Sequence, residues 1–352
     1  MSIYYVLFVV LIIPTFYELG GRVVSPAIKI LLVFLLIGIS GFRYQVGDDY
    51  LNYCNIFNDP LGYQRIEPGF MVLVNLVRSL GFSVQMLFLL CSVIIILPLS
   101  YAINKLFPDY FATAFSAYVL CYVFFEGMNT VRQAIAMTIM FVAICKFITN
   151  RRFWYFLFYV LFASCFHFSA IIIGVISWLI ISYSAEDINE LLYFVAIVLS
   201  FVAGFFILSF VDILADMSAV VGYANYLNNL EQRGVSSGLF HYVLNGYACY
   251  LLVFSYYKRE VLSGFEKSII KMVLVSVVLY NFFFNFYIGL RLYWFFYLFV
   301  VLLVPIIMKH CQKTLKVIPY TLFMFVFIVY TILSLGTEYY SNYQYSFNLL
   351  GE

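Results

Sequence analysis

Four short stretches gather residue types that do chemistry in a chain that is otherwise strongly apolar. The first is Phe42 to Phe57, FRYQVGDDYLNYCNIF. Asp49, Asn52 and Tyr53 stand at i, i+3 and i+4, a spacing that puts their side chains on one helix face. Asp48 and Asp49 open that turn, where carboxylates suit a helix N-terminus. A carboxylate there can act as a base or accept from a sugar hydroxyl. Tyr50 and Tyr53 can stack on a sugar ring, and Arg43 can bind phosphate bidentately. The same residues also read as a helix cap beside an interfacial aromatic belt.

The second stretch is Glu126 to Met137, EGMNTVRQAIAM. Asn129, Arg132 and Gln133 share a face at the start of an apolar helix. An arginine entering such a helix is costly and usually faces a cavity. The plainer reading is an ion pair between Glu126 and Arg132 that tethers two helices. The third is Phe166-His167-Phe168-Ser169, between two apolar runs. His167 can hydrogen-bond a carbonyl at the bend, or serve as a base or phosphate donor because histidine titrates near neutrality. His241 and His310 are weaker candidates. The fourth is Ile288 to Tyr297, IGLRLYWFFY, where Arg291 stands alone beside Tyr293 and Trp294. It reads as an interfacial anchor or as an anion ligand with aromatic support.

No glycine-rich phosphate loop, zinc spacing or paired-carboxylate metal motif occurs, and DDY is not a DxD element. No metal and no cofactor is therefore expected. The seven cysteines are scattered, and only Cys54 falls in a candidate outer loop, so no disulfide framework is read.

The elements that must carry these residues are membrane helices. The chain has 352 residues, 65% apolar and 10% charged, with mean hydropathy +1.01. A soluble domain is nearer half apolar and a quarter charged. The fold class expected is an all-α polytopic membrane protein. About 12 transmembrane helices are expected, at roughly 3–19, 28–42, 84–103, 110–126, 131–148, 153–166, 168–183, 190–212, 239–257, 268–288, 292–308 and 317–335. Glu67 to Leu80 is apolar but includes Asn75 and Arg78. It is read as one re-entrant or interfacial helix with Pro68 in its first turn. The rival is that it spans and one of the first two runs does not. No linker divides the chain, so a single integral membrane domain is expected, with outer-face loops at about 43–66 and 213–238.

The basic residues divide between the two faces. All nine lysines, from Lys29 to Lys316, fall in gaps assigned to the inner face, as the positive-inside rule requires. The opposite gaps carry Arg43, Arg65, Arg132, Arg233 and Arg291 and no lysine. Arginine without lysine suits recognition of an oxyanion. A net charge of +2 is too small to indicate nucleic acid.

At these residues the chain resembles the EpsG/Wzy group of bacterial polysaccharide polymerases. The matching pieces are Phe42-Arg43-Tyr44-Gln45-Val46-Gly47-Asp48-Asp49-Tyr50 with Tyr53, then Glu67-Pro68-Gly69-Phe70, then Asn129 with Arg132-Gln133, and His167-Phe168-Ser169-Ala170. They occur in the group's order. Asp48 stands where the group often has threonine, which makes Asp49 the matching acid. The resemblance implies a GT-C-like architecture in the bacterial inner (cytoplasmic) membrane with its active site facing the periplasm. It implies polymerisation of undecaprenyl-diphosphate-linked oligosaccharide, used as both donor and acceptor, with membrane lipid around it and room for a chain-length regulator protein as a partner.

For that reaction the leaving diphosphate is already ionised. Positive charge from Arg132 and Arg291 would stabilise it, and Asp49 or His167 would act as base. Arg43, Asp48, Tyr50, Tyr53, Glu67, Asn129, Gln133, Arg233 and Tyr293 are the candidates for substrate binding. A single displacement would invert the anomeric carbon. The rivals are an O-antigen ligase using the same donor and, from another class, a lipid-linked oligosaccharide flippase.

Overall fold

The computed structural model describes residues 2–63, 66–183, 187–207, 238–311 and 346–347, and these are overwhelmingly α-helical. Val84–Leu106, Val131–Asn150 and Gly289–His310 are long and apolar enough to cross a membrane, and shorter apolar helices accompany them. Large apolar side chains lie uncovered on many helices: Phe34, Phe158, Leu191 and Trp154, the last 78% exposed. Water tolerates such an expanse poorly, and lipid is the solvent that covers it. The chain is an all-α membrane protein. The expected span at 317–335, the end of that at 190–212 and nearly all of the loop at 213–238 lie outside the described residues.

By contact the chain divides into two compact units, Met1–Val175 with Val300–Glu352, and Ile176–Phe299. The first unit begins with α1 (Ser2–Leu19) and α2 (Pro26–Gly41). The Ser25 side chain accepts from the Ile28 amide and Pro26 occupies the first turn of α2. After the short strand β1 (Arg43–Tyr44) come α3 (Tyr50–Asn58), α4 (Pro68–Ser79) and α5 (Val84–Leu106). β1 pairs antiparallel with β2 (Ser346–Phe347), Arg43 opposite Phe347. α6 (Phe111–Leu120), α7 (Val123–Asn129), α8 (Val131–Asn150), α9 (Phe153–Ser164) and the start of α10 (Ser169–Tyr183) follow, and α15 (Val300–His310) packs on α6.

α4 has 12 residues, a rise of about 18 Å against a hydrocarbon core of about 30 Å. Phe70, Val74 and Val77 form its single buried row, while Asn75 and Arg78 are exposed. That length and one-sided burial suit the expected helix that does not cross.

The run expected as one span at 110–126 is instead broken. Its two parts, Pro108–Leu120 and Val123–Asn129, bend by 54° at a break where Tyr122 adopts φ +69°. A non-glycine residue in the left-handed region is costly and tends to occur near functional sites.

A carboxylate inside an apolar run must find donors. Glu18, in the last turn of α1, accepts from the amides of Ala112 and Thr113 at 2.8 Å each and from the Thr113 hydroxyl at 2.9 Å. It thus caps the first turn of α6, where a helix leaves its amides without intrahelical partners.

The second unit holds the rest of α10, α11 (Glu190–Gly204), α12 (Gly238–Lys258), α13 (Gly264–Phe283) and α14 (Tyr287–Tyr297). A capping box between Ser263 and Glu266 starts α13. Asn281 of α13 is fully buried, its Oδ1 2.8 Å from His241 Nε2 and accepting from Asn245 Nδ2 at 2.9 Å. Asn281 Nδ2 in turn donates to Asn245 Oδ1 at 2.7 Å and to the Ile197 carbonyl of α11 at 3.3 Å. A Cβ at Gly204 would lie 2.0 Å from the Asn281 carbonyl, so only glycine lets α11 and α13 approach this closely.

Candidate active site

The GDDY segment is positioned from below and from the side. Arg43 is 1% exposed, with its guanidinium donating to the Ser40 carbonyl at 2.5 Å and the Met128 carbonyl at 2.9 Å. Its guanidinium also stacks 4.4 Å from the Phe88 ring centre. Gln85 of α5 donates to the carbonyls of Gly41 and Arg43. Arg43 therefore joins the end of α2 to the end of α7 and reaches no open surface.

The chain then turns through Gln45 at φ +53° and Gly47 at φ +95°. A Cβ on Gly47 would stand 3.3 Å from Asn129 Oδ1, so conformation and space both call for glycine. Asn129 Oδ1 accepts from the Asp49 amide at 3.0 Å. Asn129 thus holds the loop through its backbone.

Asp49 sits at the N-cap of α3 without making a side-chain cap bond, and Asp48 is exposed. The cap reading therefore does not describe the Asp49 side chain. Tyr50 and Tyr53 do not present their rings for stacking on a ligand. Tyr50 stacks on Phe88 at 5.0 Å, and Tyr53, 2% exposed, packs on Phe70 at 5.5 Å. Apolar packing has taken up the faces that the sequence offers to a sugar. The Tyr53 hydroxyl meets the Arg132 guanidinium instead.

Each residue of Glu67-Pro68-Gly69-Phe70 has a separate task. Glu67 is the N-cap of α4 and Pro68 starts it. The Gly69 amide donates to the Cys165 carbonyl at 2.7 Å, and a Cβ there would lie 2.8 Å from that oxygen. Only glycine brings α4 this close to the bend between α9 and α10. Phe70 closes the floor under Tyr53.

That close approach places His167 beside Glu67. His167 Nδ1 is 3.2 Å from Glu67 Oε1, and Arg132 pairs with Glu67 Oε2. The two partners lie 100 and 65 residues away from Glu67 in sequence. The tether anticipated between Glu126 and Arg132 is replaced by this longer pairing. Burial pushes the Glu67 carboxyl up, but the His167 hydrogen bond and the Arg132 charge outweigh it and hold the group below its ordinary value. The Tyr53 phenol is pushed up to about 12, mainly by burial, with Arg132 opposing. Among the described residues, Arg132 Nε is buried with no hydrogen-bond partner. A buried orphan donor of this kind invites a ligand or a water.

Glu67, Arg132, His167 and Tyr53 thus converge, with Asn129 and Arg43 fixing the loop beside them. Gln133 is buried on α8. Arg291 and Tyr293 belong to the second unit, where Tyr293 is enclosed by Tyr280, Trp294 and Tyr297. Arg233 lies outside the described residues. Sequence reasoning missed the spacer role of Gly69 and the props Gln85 and Phe88; the glycine after Pro68 was the available signal for the first. No cluster of three or more metal-ligating side chains occurs among the described residues.

A carboxylate on one ring nitrogen of a histidine orients the other for proton transfer, and an arginine alongside supplies fixed positive charge. The structure is therefore that of an all-α membrane protein in which a carboxylate, a guanidinium and an imidazole meet in a partly buried cluster. The chain belongs to the EpsG family, whose model matches residues 27–347, nearly the whole length. That family is related to the Wzy-type polysaccharide polymerases, and membership supports a polysaccharide-polymerase type of role. Neither the curated proteins nor the solved structures contain a match.

Proposed function

We propose that this protein joins undecaprenyl-diphosphate-linked oligosaccharide repeat units on the periplasmic face of the inner membrane, as a metal-independent, inverting glycosyltransferase. The observation that carries this reading is the Glu67 carboxylate held between Arg132 and His167 Nδ1, the latter at 3.2 Å. With Nδ1–H donated to Glu67, Nε2 is the basic nitrogen. It removes the proton from the acceptor sugar hydroxyl. The hydroxyl oxygen bonds to the anomeric carbon of the donor as the carbon–oxygen bond to undecaprenyl diphosphate breaks, and the electron pair leaves on the diphosphate.

Arg132 supplies charge where that negative charge develops. Arg291 is the second cation proposed for the diphosphate, from the sequence alone. Asp49 receives the acceptor, its backbone fixed by Asn129. About 12 spans in a GT-C-like arrangement would house this site.

Purified protein in proteoliposomes with the lipid-linked repeat unit should yield a ladder of polymer, unchanged by EDTA and lost in His167→Gln. Failure of the wild type to elongate would refute the reading. In cells, deletion of the gene should collapse surface glycan to a single repeat unit on its acceptor. Loss of every unit would favour a ligase or flippase.

A further inference from the structure

At the far end of α8 from Arg132 the first unit holds a second site. Lys146 lies 14 residues along the same helix, about 21 Å away at helical rise. There, the hairpin between α8 and α9 encloses a cavity of about 250 Å³. Lys146, Asn150 and Arg152 supply its polar lining, and Phe147, Tyr155 and Tyr159 part of its aromatic lining. Lys146 Nζ donates to the Tyr159 hydroxyl at 2.8 Å and sits 4.9 Å from the centre of its ring. Arg152 lies 5.7 Å from the Tyr155 ring centre. The two cations are thus arrayed on aromatic supports around one opening, with the first amides of α9 beginning at Arg152.

No aspartate or glutamate occurs between Glu126 and Glu186, so the hairpin that carries Lys146 and Arg152 holds no carboxylate of its own. Tyr155 of the cavity lining and its neighbour Trp154 are exposed, and such amphipathic rings are enriched where membranes meet water. Drug-sized ligand pockets run from about 300 to 1,000 Å³. This cavity admits a headgroup and leaves acyl chains outside on the exposed apolar face of α9, where Phe158, Leu161 and Phe162 are uncovered.

We propose that Lys146 and Arg152 form a binding site for the phosphate headgroup of an anionic phospholipid in the leaflet opposite the Glu67 cluster. Basic pockets between membrane helices bind such headgroups. The site serves a resident lipid, distinct from the lipid-linked substrate proposed for the other end of α8. It requires only that the chain sits in a bilayer, so it stands or falls independently of the polymerase reading.

Native mass spectrometry of the detergent-solubilised full chain, titrated with phosphatidylglycerol or phosphatidylcholine, tests the site. The wild type should retain phosphatidylglycerol at least about tenfold more strongly than phosphatidylcholine, which corresponds to about 1.4 kcal/mol. Lys146→Gln with Arg152→Gln should abolish that preference, while Lys105→Gln, the loss of an exposed charge elsewhere, should preserve it. Both variants should elute as the wild type does. Millimolar inorganic phosphate should leave lipid retention unchanged. Equal retention of both lipids, persistence of the preference in the double variant, its loss in Lys105→Gln, or displacement of lipid by phosphate would each overturn the proposal.

Discussion

Each unit of this protein buries one polar cluster built around a histidine, and the two are made differently. In the first, a carboxylate, a guanidinium and an imidazole meet, and Arg132 and His167 keep 23% and 17% of their side chains accessible. In the second, His241 and the amides of Asn245 and Asn281 meet, and His241 and Asn281 are 3% and 0% exposed. A buried ion pair is poor glue, because removing two charges from water costs about as much as their attraction returns. A reciprocal amide pair carries no such penalty and registers helices well in lipid. The charged, partly open cluster suits a reaction, and the neutral, closed one suits assembly of α11, α12 and α13.

The sharpest way to break that contrast is Arg132→Ala. Elongation should fall by a factor on the order of 10² to 10³, as when a charge-stabilising donor is removed from an active site. Lysine should restore little, since it lacks the planar fork that can hold Glu67, Tyr53 and a phosphate together. Polymer ladders normalised to protein level provide the readout. Full-length polymer from Arg132→Ala would reduce the first cluster to a tether.

Glu67→Gln keeps the shape and removes the charge, and elongation should fall about 10²-fold as His167 loses its orienting anion. The pH dependence has a definite sign. The folded carboxyl titrates below its ordinary value, so its stabilisation is complete above the ordinary carboxylate range and is lost as pH falls through the depressed folded value. Thermal melts of the wild type should therefore hold down to about pH 5 and drop below about pH 4, near and under the unperturbed glutamate value. Glu67→Gln should lack that drop. An identical acid limb in both proteins would show that Glu67 is not the titrating group.

A smaller effect is expected from Gly69→Ala. The added methyl meets the Cys165 carbonyl and must push α4 away from the bend that carries His167. A displacement of the order of an ångström costs about 10- to 100-fold in rate. Steady-state elongation should fall within that range while the melting temperature changes little. Unchanged elongation would mean that the Glu67–His167 distance does not govern the reaction.

Local pattern carried much of the fold and part of the site. The apolar runs that became α2, α5 and α8 are charge-free or nearly so, and Pro68 marks the start of α4 within a residue of where it falls. Asn129, Arg132 and Gln133, read from their spacing as one face of one helix, are divided by a break at Thr130: Asn129 ends α7, and Arg132 and Gln133 open α8. Spacing could not reveal that Arg132 and His167 choose Glu67, because that pairing joins residues 65 and 100 apart through packing. The break at Tyr122 was equally hidden, since no glycine or proline announces it. Tyr50 and Tyr53 carry the same residue type whether they face a ligand or a core, and only the packing of Phe88 and Phe70 decides. Glu18 and Asn281 did leave a trace: each is a polar side chain within an apolar run, which requires a buried partner.

The smallest expected effect on the reaction is the most discriminating for the contrast between the clusters. Asn281→Ala removes the acceptor shared by His241 and Asn245 and the donor to the Ile197 carbonyl. In lipid, such interhelical bonds contribute about 1–2 kcal/mol at most, because the separated helices find other partners. The variant should melt a few degrees lower and still elongate at the wild-type rate per folded molecule. Asn245→Ala should do the same. The double variant should cost less than the sum of the two, since each single change already breaks the reciprocal amide pair. If Asn281→Ala instead abolished polymer at a normal melting temperature, the second cluster would belong to the reaction. Burial without charge would then no longer separate assembly from chemistry in this fold.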